Sequence, residues 1–133
     1  MANISPTVST IADGTAKIVT WTPMIIIDTD PGAPEVLEYD IGLPVEFCRF
    51  CDRSVTIVGT WGAGGSITLK GSNDGINYYA LTDPQGNAIT KTADSLEQIT
   101  ELTQYIKPEI TAGDITTSLT VKLLARLPQP MRT

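Results

Sequence analysis

Four short constellations in this 133-residue chain hold residue types that do chemistry: Cys48-Arg49-Phe50-Cys51, Asp28-Thr29-Asp30, Ser72-Asn73-Asp74-Gly75-Ile76-Asn77 and Trp61-Gly62-Ala63-Gly64-Gly65. The first has CxxC spacing. A zinc-ribbon site needs four ligands, and the chain has two cysteines and no histidine. A thioredoxin-type pair sits at a helix N-terminus in a βαβ setting, which this pattern lacks. Two free thiols near a strand end are expected. The alternatives are a zinc shared across a symmetric oligomer and a strained local disulfide. Asp28 and Asp30 place two carboxylates on one side of an extended segment; solvated loop acids are expected, with a divalent-ion site completed by Glu35 or Asp40 as the alternative. Ser72 to Asn77 begins like a calcium loop but lacks the repeated acids and distal glutamate, so a hairpin turn accounts for it. The glycine run lies between strands rather than at a strand-to-helix junction, so it is no phosphate loop.

Without histidine there is no His-dependent triad or imidazole base. Carboxylate pairs occur by chance in any acidic β protein, so none marks a glycosidase. The expectation is a non-enzyme with no cofactor and no metal. Nine Lys+Arg against 15 Asp+Glu give a net charge of −6, which opposes a phosphate backbone; no direct nucleic-acid partner is expected. No apolar run approaches the about 20 residues of a membrane helix. Met1 to Pro6 has neither a basic stretch nor an apolar core, so neither membrane nor secretory targeting is expected.

The elements that must position these residues read as strands. β-Branched residues are abundant, Gly and Pro punctuate the chain, and turn signals recur about every 8–12 residues. Val55 and Ile57 alternate with Thr56 and Val58; Ile67 and Leu69 share a face; Leu119, Val121 and Leu123 point in while Thr120, Lys122 and Leu124 point out. Ser72 to Gly75 and Asp83 to Asn87 are turns. Pro23 stops a strand over 17–22, and Pro108 places its strand at an edge or bulge. Ala93 to Glu101 is a helical turn or a strand. The fold class is an all-β, antiparallel β-sandwich of jelly-roll type. Residues 1–16 form an N-terminal arm or edge strand, and 17–133 form one sandwich domain with a long acidic loop over 28–42 carrying a short strand near Val36 to Tyr39. Between Lys17 and Arg49 there is no base, while Asp28, Asp30, Glu35, Glu38, Asp40 and Glu46 all fall inside.

Contact candidates follow from apolar residues without an obvious core role. Met24, Ile25, Ile26 and Ile27 suit a strand buried on both faces or a protein contact. Ile4 and Val8 lie on the arm, where an edge strand can pair with a partner. Trp21, Trp61, Tyr78, Tyr79 and Tyr105 either pack inside or stack on sugar rings. Trp21 is expected in the core, and Trp61, at a strand end beside small residues, at a surface or interface.

The stretch from Arg53 to Arg126 resembles a group of small structural proteins encoded by tailed bacteriophages. The blocks are Asp52-Arg53-Ser54-Val55, Gly59 to Ser66, Gly71 to Tyr78, Asp83 to Ala88, Tyr105-Ile106-Lys107-Pro108, Thr111-Ala112-Gly113-Asp114 and Leu119 to Arg126. Trp21-Thr22-Pro23 is similar to the group's N-terminal part; the acidic segment and the cysteine pair match nothing in it. The resemblance implies a virion protein of the capsid exterior, made in the host cytoplasm. It would act as a cement or decoration protein that binds the major capsid protein and itself, as a dimer or trimer. A carbohydrate- or receptor-binding module of the virion and a tail or connector component are the alternatives.

Overall fold

A computed structural model describes residues 3–11, 14–30, 36–47 and 49–128. Among the described residues the regular elements are all strands: β1 (Asn3–Ile4), β2 (Thr7–Ile11), β3 (Ala16–Asp30), β4 (Val36–Tyr39), β5 (Ile41–Gly42), β6 (Val45–Glu46), β7 (Cys51–Thr60), β8 (Ser66–Ser72), β9 (Tyr79–Ala80), β10 (Thr90–Lys91), β11 (Ser95–Gln98), β12 (Tyr105–Ala112) and β13 (Ser118–Arg126). They form two sheets. One has the order β1-β5-β12-β8-β10, with β6 also on β12 and β9 on β8; the other is β11-β7-β13-β3-β2, with β4 on the far part of β3. All described pairings are antiparallel except β1 with β5. The chain is an all-β sandwich, as the alternation of its strands requires.

The core lies between the sheets. Val19, Trp21, Met24 and Ile26 of β3, Val55 and Ile57 of β7, and Leu119, Val121 and Leu123 of β13 meet Ile67 and Leu69 of β8 and Ile106 and Ile110 of β12. Each such side chain contributes about 1.5–3 kcal/mol when fully buried. The Trp21 indole N–H donates to Leu43 O at 2.9 Å, satisfying its one polar atom inside.

Several expectations are corrected. Pro23 does not end its strand: β3 runs on to Asp30, and the pairing with β13 slips by one residue between Trp21 and Met24, where Pro23 sits in the irregularity. Pro108 lies buried in β12, an interior strand between β8 and β5/β6. It is accommodated because the partner strand breaks opposite it. β5 ends at Gly42 and β6 begins at Val45, and a Cβ on Gly42 would lie 2.5 Å from Pro108 Cδ. The segment 28–42 is not one long loop. Asp28 to Asp30 finish β3, Val36 to Tyr39 pair back on it, and Ile41 has already joined the other sheet; Pro31 to Glu35 lie outside the described residues. A boundary at residue 16 falls inside a strand, since Ala16 opens β3 and is buried. The arm itself spans both layers, with β1 on β5 in one sheet and β2 on β3 in the other.

Candidate interaction surfaces

Of the seven residues expected at an interface, the structure turns five outward or halfway and removes two. Met24 and Ile26 are buried in the core. Their strand has one solvent face, so alternate residues take opposite directions and only Ile25 and Ile27 face away from the core. Met24 and Ile26 therefore offer no side chain to a partner. Ile27 is exposed, as is Val8 on β2, while Ile4 packs partly against the core. Trp61 is half-buried against the core, and its indole N–H donates to Asp94 Oδ1 at 2.8 Å. With its polar edge tied to Asp94, the ring forms part of the loop scaffold rather than a free platform.

The remaining exposed apolar residues of this region lie along β3. β13 takes one edge of β3; β2 takes the start of the opposite edge. Further along, Ile25 donates its N–H to Asp40 Oδ2 at 2.9 Å and accepts from Asp40 N at 3.1 Å. Both groups point away from β13, so β4 lies on the same side as β2. The last part of β3 and β4 make a two-stranded ribbon beyond the end of β13, with Ile27 and Val36 exposed on it. Val8 and Ile11 of β2 are also exposed, on opposite faces of that strand because they lie three residues apart. Asp28 closes the ribbon: its Oδ1 accepts from Val36 N at 3.3 Å. Asp40 is not a surface acid. It is 2% exposed, at the crossover between sheets, and its carbonyl accepts from Ile110 N in β12. Asp40 thus fastens the crossover instead of joining the surface acids around Asp28; the Asp30 side chain and Glu35, the other expected ligands, lie outside what is described.

A groove of about 580 Å³ opens at the opposite end, lined by Asn73, Asp74, Asn77, Tyr79, Glu101 and Thr103 among others. Asp74 builds its rim. Oδ1 accepts from Ile76 N, Asn77 N and Ser72 Oγ, each at 2.8 Å, and Oδ2 from Asn77 Nδ2 at 2.8 Å. The Asn77 and Ile76 amides, then the Asn77 and Ser72 side chains, hold its carboxyl well below the usual carboxylate range. The segment is a turn, with Gly75 at φ 76°. Its carboxylate is spent on hydrogen bonds within its own loop. Glu101 accepts from Thr82 N at 2.7 Å and from the Thr82 hydroxyl. Burial pushes its carboxyl up, but the hydrogen bonds from Thr82 outweigh this and lower it. The Tyr78-Tyr79 pair divides at the start of β9. Tyr78 lies under Lys107, whose Nζ is 4.3 Å from the ring centre, and burial, with Tyr105 and Asp74 nearby, pushes its phenol up. Tyr79 stands 74% exposed.

Cys51 is a free thiol at the start of β7, half-buried; Cys48 lies outside the described residues. Beside Cys51, Arg53 is 2% exposed and donates to Phe50 O, Thr103 O and Phe47 O at 3.0, 2.7 and 2.8 Å, with its guanidinium over the Phe47 ring. Sequence reasoning missed the fastening roles of Arg53 and Asp40. The one available signal for Arg53 was an arginine in register with Val55 and Ile57, on the inward face of β7. No protein-family model, curated protein or solved structure matches the chain.

Proposed function

We propose that this chain is a structural protein of a tailed-phage particle, a decoration or cement protein that sits on the outside of the capsid shell. It binds the major capsid protein there and stabilises the shell. The observation that carries the reading is the β3–β4 ribbon, where Ile27 and Val36 share one face and stand exposed beside the acidic Asp28 and Glu38. The acidic ribbon favours a basic patch on the shell. The strand orders support the same reading. Numbering the eight principal strands β3, β5/β6, β7, β8, β9/β10, β11, β12 and β13, one sheet runs 1-8-3-6 and the other 2-7-4-5. We read this as a jelly roll, an architecture found in viral capsid and lectin domains. Fold analogy is only supporting; the ribbon and the block resemblance carry the proposal.

Cosedimentation with emptied phage shells tests it. Saturable binding is expected, and Ile27→Asp with Val36→Asp should weaken it by about tenfold or more, since each buries a charge in the contact. Electron microscopy that places the chain in the tail, or finds none in the particle, would overturn the reading.

A second reading rests on Tyr79. An exposed ring beside a groove of fixed carboxylates and amides is the chemistry that binds a sugar: stacking on its apolar face and hydrogen bonds to its hydroxyls. A glycan array followed by titration tests it. Binding that Tyr79→Ala abolishes supports a receptor-binding module, and an array without hits removes it.

A further inference from the structure

The edges of the two sheets are not equally protected. An edge strand exposes unpaired N–H and C=O groups and is normally blunted by short length, charge, proline or cover. Among the described residues, β1 and β6 on one side of their sheet and β9 and β10 on the other are two residues each. β11 carries Glu97, in an ion pair with Lys91 at 2.8 Å, and follows Asp94. β4 carries Glu38 and is flanked by acids. β2 has none of these devices. Its sequence Thr-Val-Ser-Thr-Ile holds no charge, glycine or proline, and four of its five residues are β-branched. All five are exposed, Val8 at 49% and Ile11 at 45%. Only β3 pairs with it among the described residues. Alternate residues of β2 therefore turn their backbone groups to an open edge.

We propose that β2 is a homodimer strand. Two copies join edge to edge, β2 against β2, antiparallel about a two-fold axis at Ser9. The proposal deepens the decoration reading by naming the self-contact. The occupant is a second copy because the strand is complementary to itself. Pairing about Ser9 sets Thr7 opposite Ile11 and Val8 opposite Thr10, pairs of the kind that stabilise sheets. Charge favours the same choice. The chain carries −6, yet residues 3–11 hold no ionisable side chain. Two acidic molecules meet here with less repulsion than at the acidic ribbon. A two-fold contact also closes on itself, so it yields a dimer and leaves no second open β2 edge to propagate a fibre.

Sedimentation velocity on the full chain, over a concentration series reaching about 100 µM, reads the contact directly. The expected result is a monomer–dimer equilibrium. Ser9→Lys, which sets lysine against lysine at the axis, should raise the dissociation constant about tenfold or more. Val8→Lys should act in the same direction. Both positions are exposed, so thermal midpoints should be unchanged, showing that the variants fold. Ser9→Cys, with Cys48 and Cys51 changed to serine, should oxidise to a covalent dimer. Directly opposed residues lie about 4.5–5.5 Å apart at Cα, within disulfide reach. Thr60→Cys, exposed at the far end of β7, is the control and should not cross-link. A wild type that stays monomeric throughout the series overturns the proposal. So does a dimer that neither lysine weakens, or a Ser9→Cys cross-link no faster than the control. Shell binding separates the two readings. A dimer that ignores shells sinks the decoration role alone, and a monomer that binds them sinks the dimer alone.

Discussion

At one end of the sandwich the β7–β8 and β12–β13 loops are tied by carboxylates that collect N–H groups. At the other the β6–β7 and β11–β12 loops are tied by a guanidinium that collects carbonyls. Asp114 accepts from Ala63 N at 2.8 Å and from Thr116 N at 2.9 Å, and also from the Thr116 hydroxyl. Asp94 accepts from Gly59 N at 3.1 Å and from the Trp61 indole. Across the molecule Arg53 makes three bonds to Phe47, Phe50 and Thr103 carbonyls. The difference teaches that irregular loops are closed by whichever ion complements the backbone groups they leave unpaired. It also makes the Asp114 fastening sensitive to acid and the Arg53 fastening indifferent, because guanidinium does not titrate in the accessible range.

The strongest way to break the comparison is at Arg53. Arg53→Met leaves three carbonyls without their donor and should cost about 3 kcal/mol or more, read from urea unfolding midpoints. Arg53→Lys should recover less than half, since an ammonium lacks the planar fork. If Arg53→Met unfolds at the wild-type midpoint, the guanidinium is not the fastening. Asp40→Ala comes next, at about 2 kcal/mol, because it orphans the partly buried Ile25 amide at the crossover between sheets. Asp94→Ala should shift the midpoint less. Its sharper sign is spectroscopic: Trp21 is buried, so a red shift in tryptophan emission reports the release of Trp61.

Acid should distinguish these two fastenings without any mutation. The Thr116 side chain, then the Ala63 and Thr116 amides, lower the Asp114 carboxyl below its ordinary 3.8. A group with a depressed folded value adds stability that is fully present above its unfolded value and fades as pH falls through the folded one. The Ala63 and Thr116 amide resonances should therefore hold down through pH 4 and move only below it, while the Arg53 guanidinium resonances stay fixed. Coincident movement at both ends would mean global unfolding instead. The smallest expected effect is Tyr79→Ala, within about 0.5 kcal/mol, since the ring is mostly in solvent. A larger loss would show that Tyr79 serves the fold rather than a ligand.

Much of this architecture is legible in the chain because burial on one face writes itself as alternation. Val55 and Ile57, Ile67 and Leu69, and Leu119, Val121 and Leu123 all face inward as their spacing dictates. The turns at Asp74 and Asp83 are legible for a related reason: an aspartate with a glycine one or three residues on encodes its own hydrogen bonds. Asp83 Oδ1 accepts from Gln85 N and Asn87 N, each at 3.0 Å. What spacing conceals is long-range. Pro108 looks like an edge residue until the break between β5 and β6 is seen opposite it. Asp40 counts as one more acid in an acidic run until the chain is found to cross between sheets at that residue. The exposed apolar residues are legible only in part. Val8 and Ile27 are exposed, but the choice of Ile27 over Met24 and Ile26 depends on the one-residue slip beside Pro23, which no local pattern fixes.

Because β1 belongs to one layer and β2 to the other, with only Ser5 and Pro6 between them, residues 3–11 act as a strap between the layers. Its two buckles differ in strength. β1 holds by two residue pairs and β2 by five. A load applied at residue 3 is therefore met first by β1, which peels from β5 while β2 still grips β3. Releasing residues 3–6 yields about 13 Å of slack at full extension. The strap thus works as a fuse, lengthening under tension before the sandwich itself bears the strain.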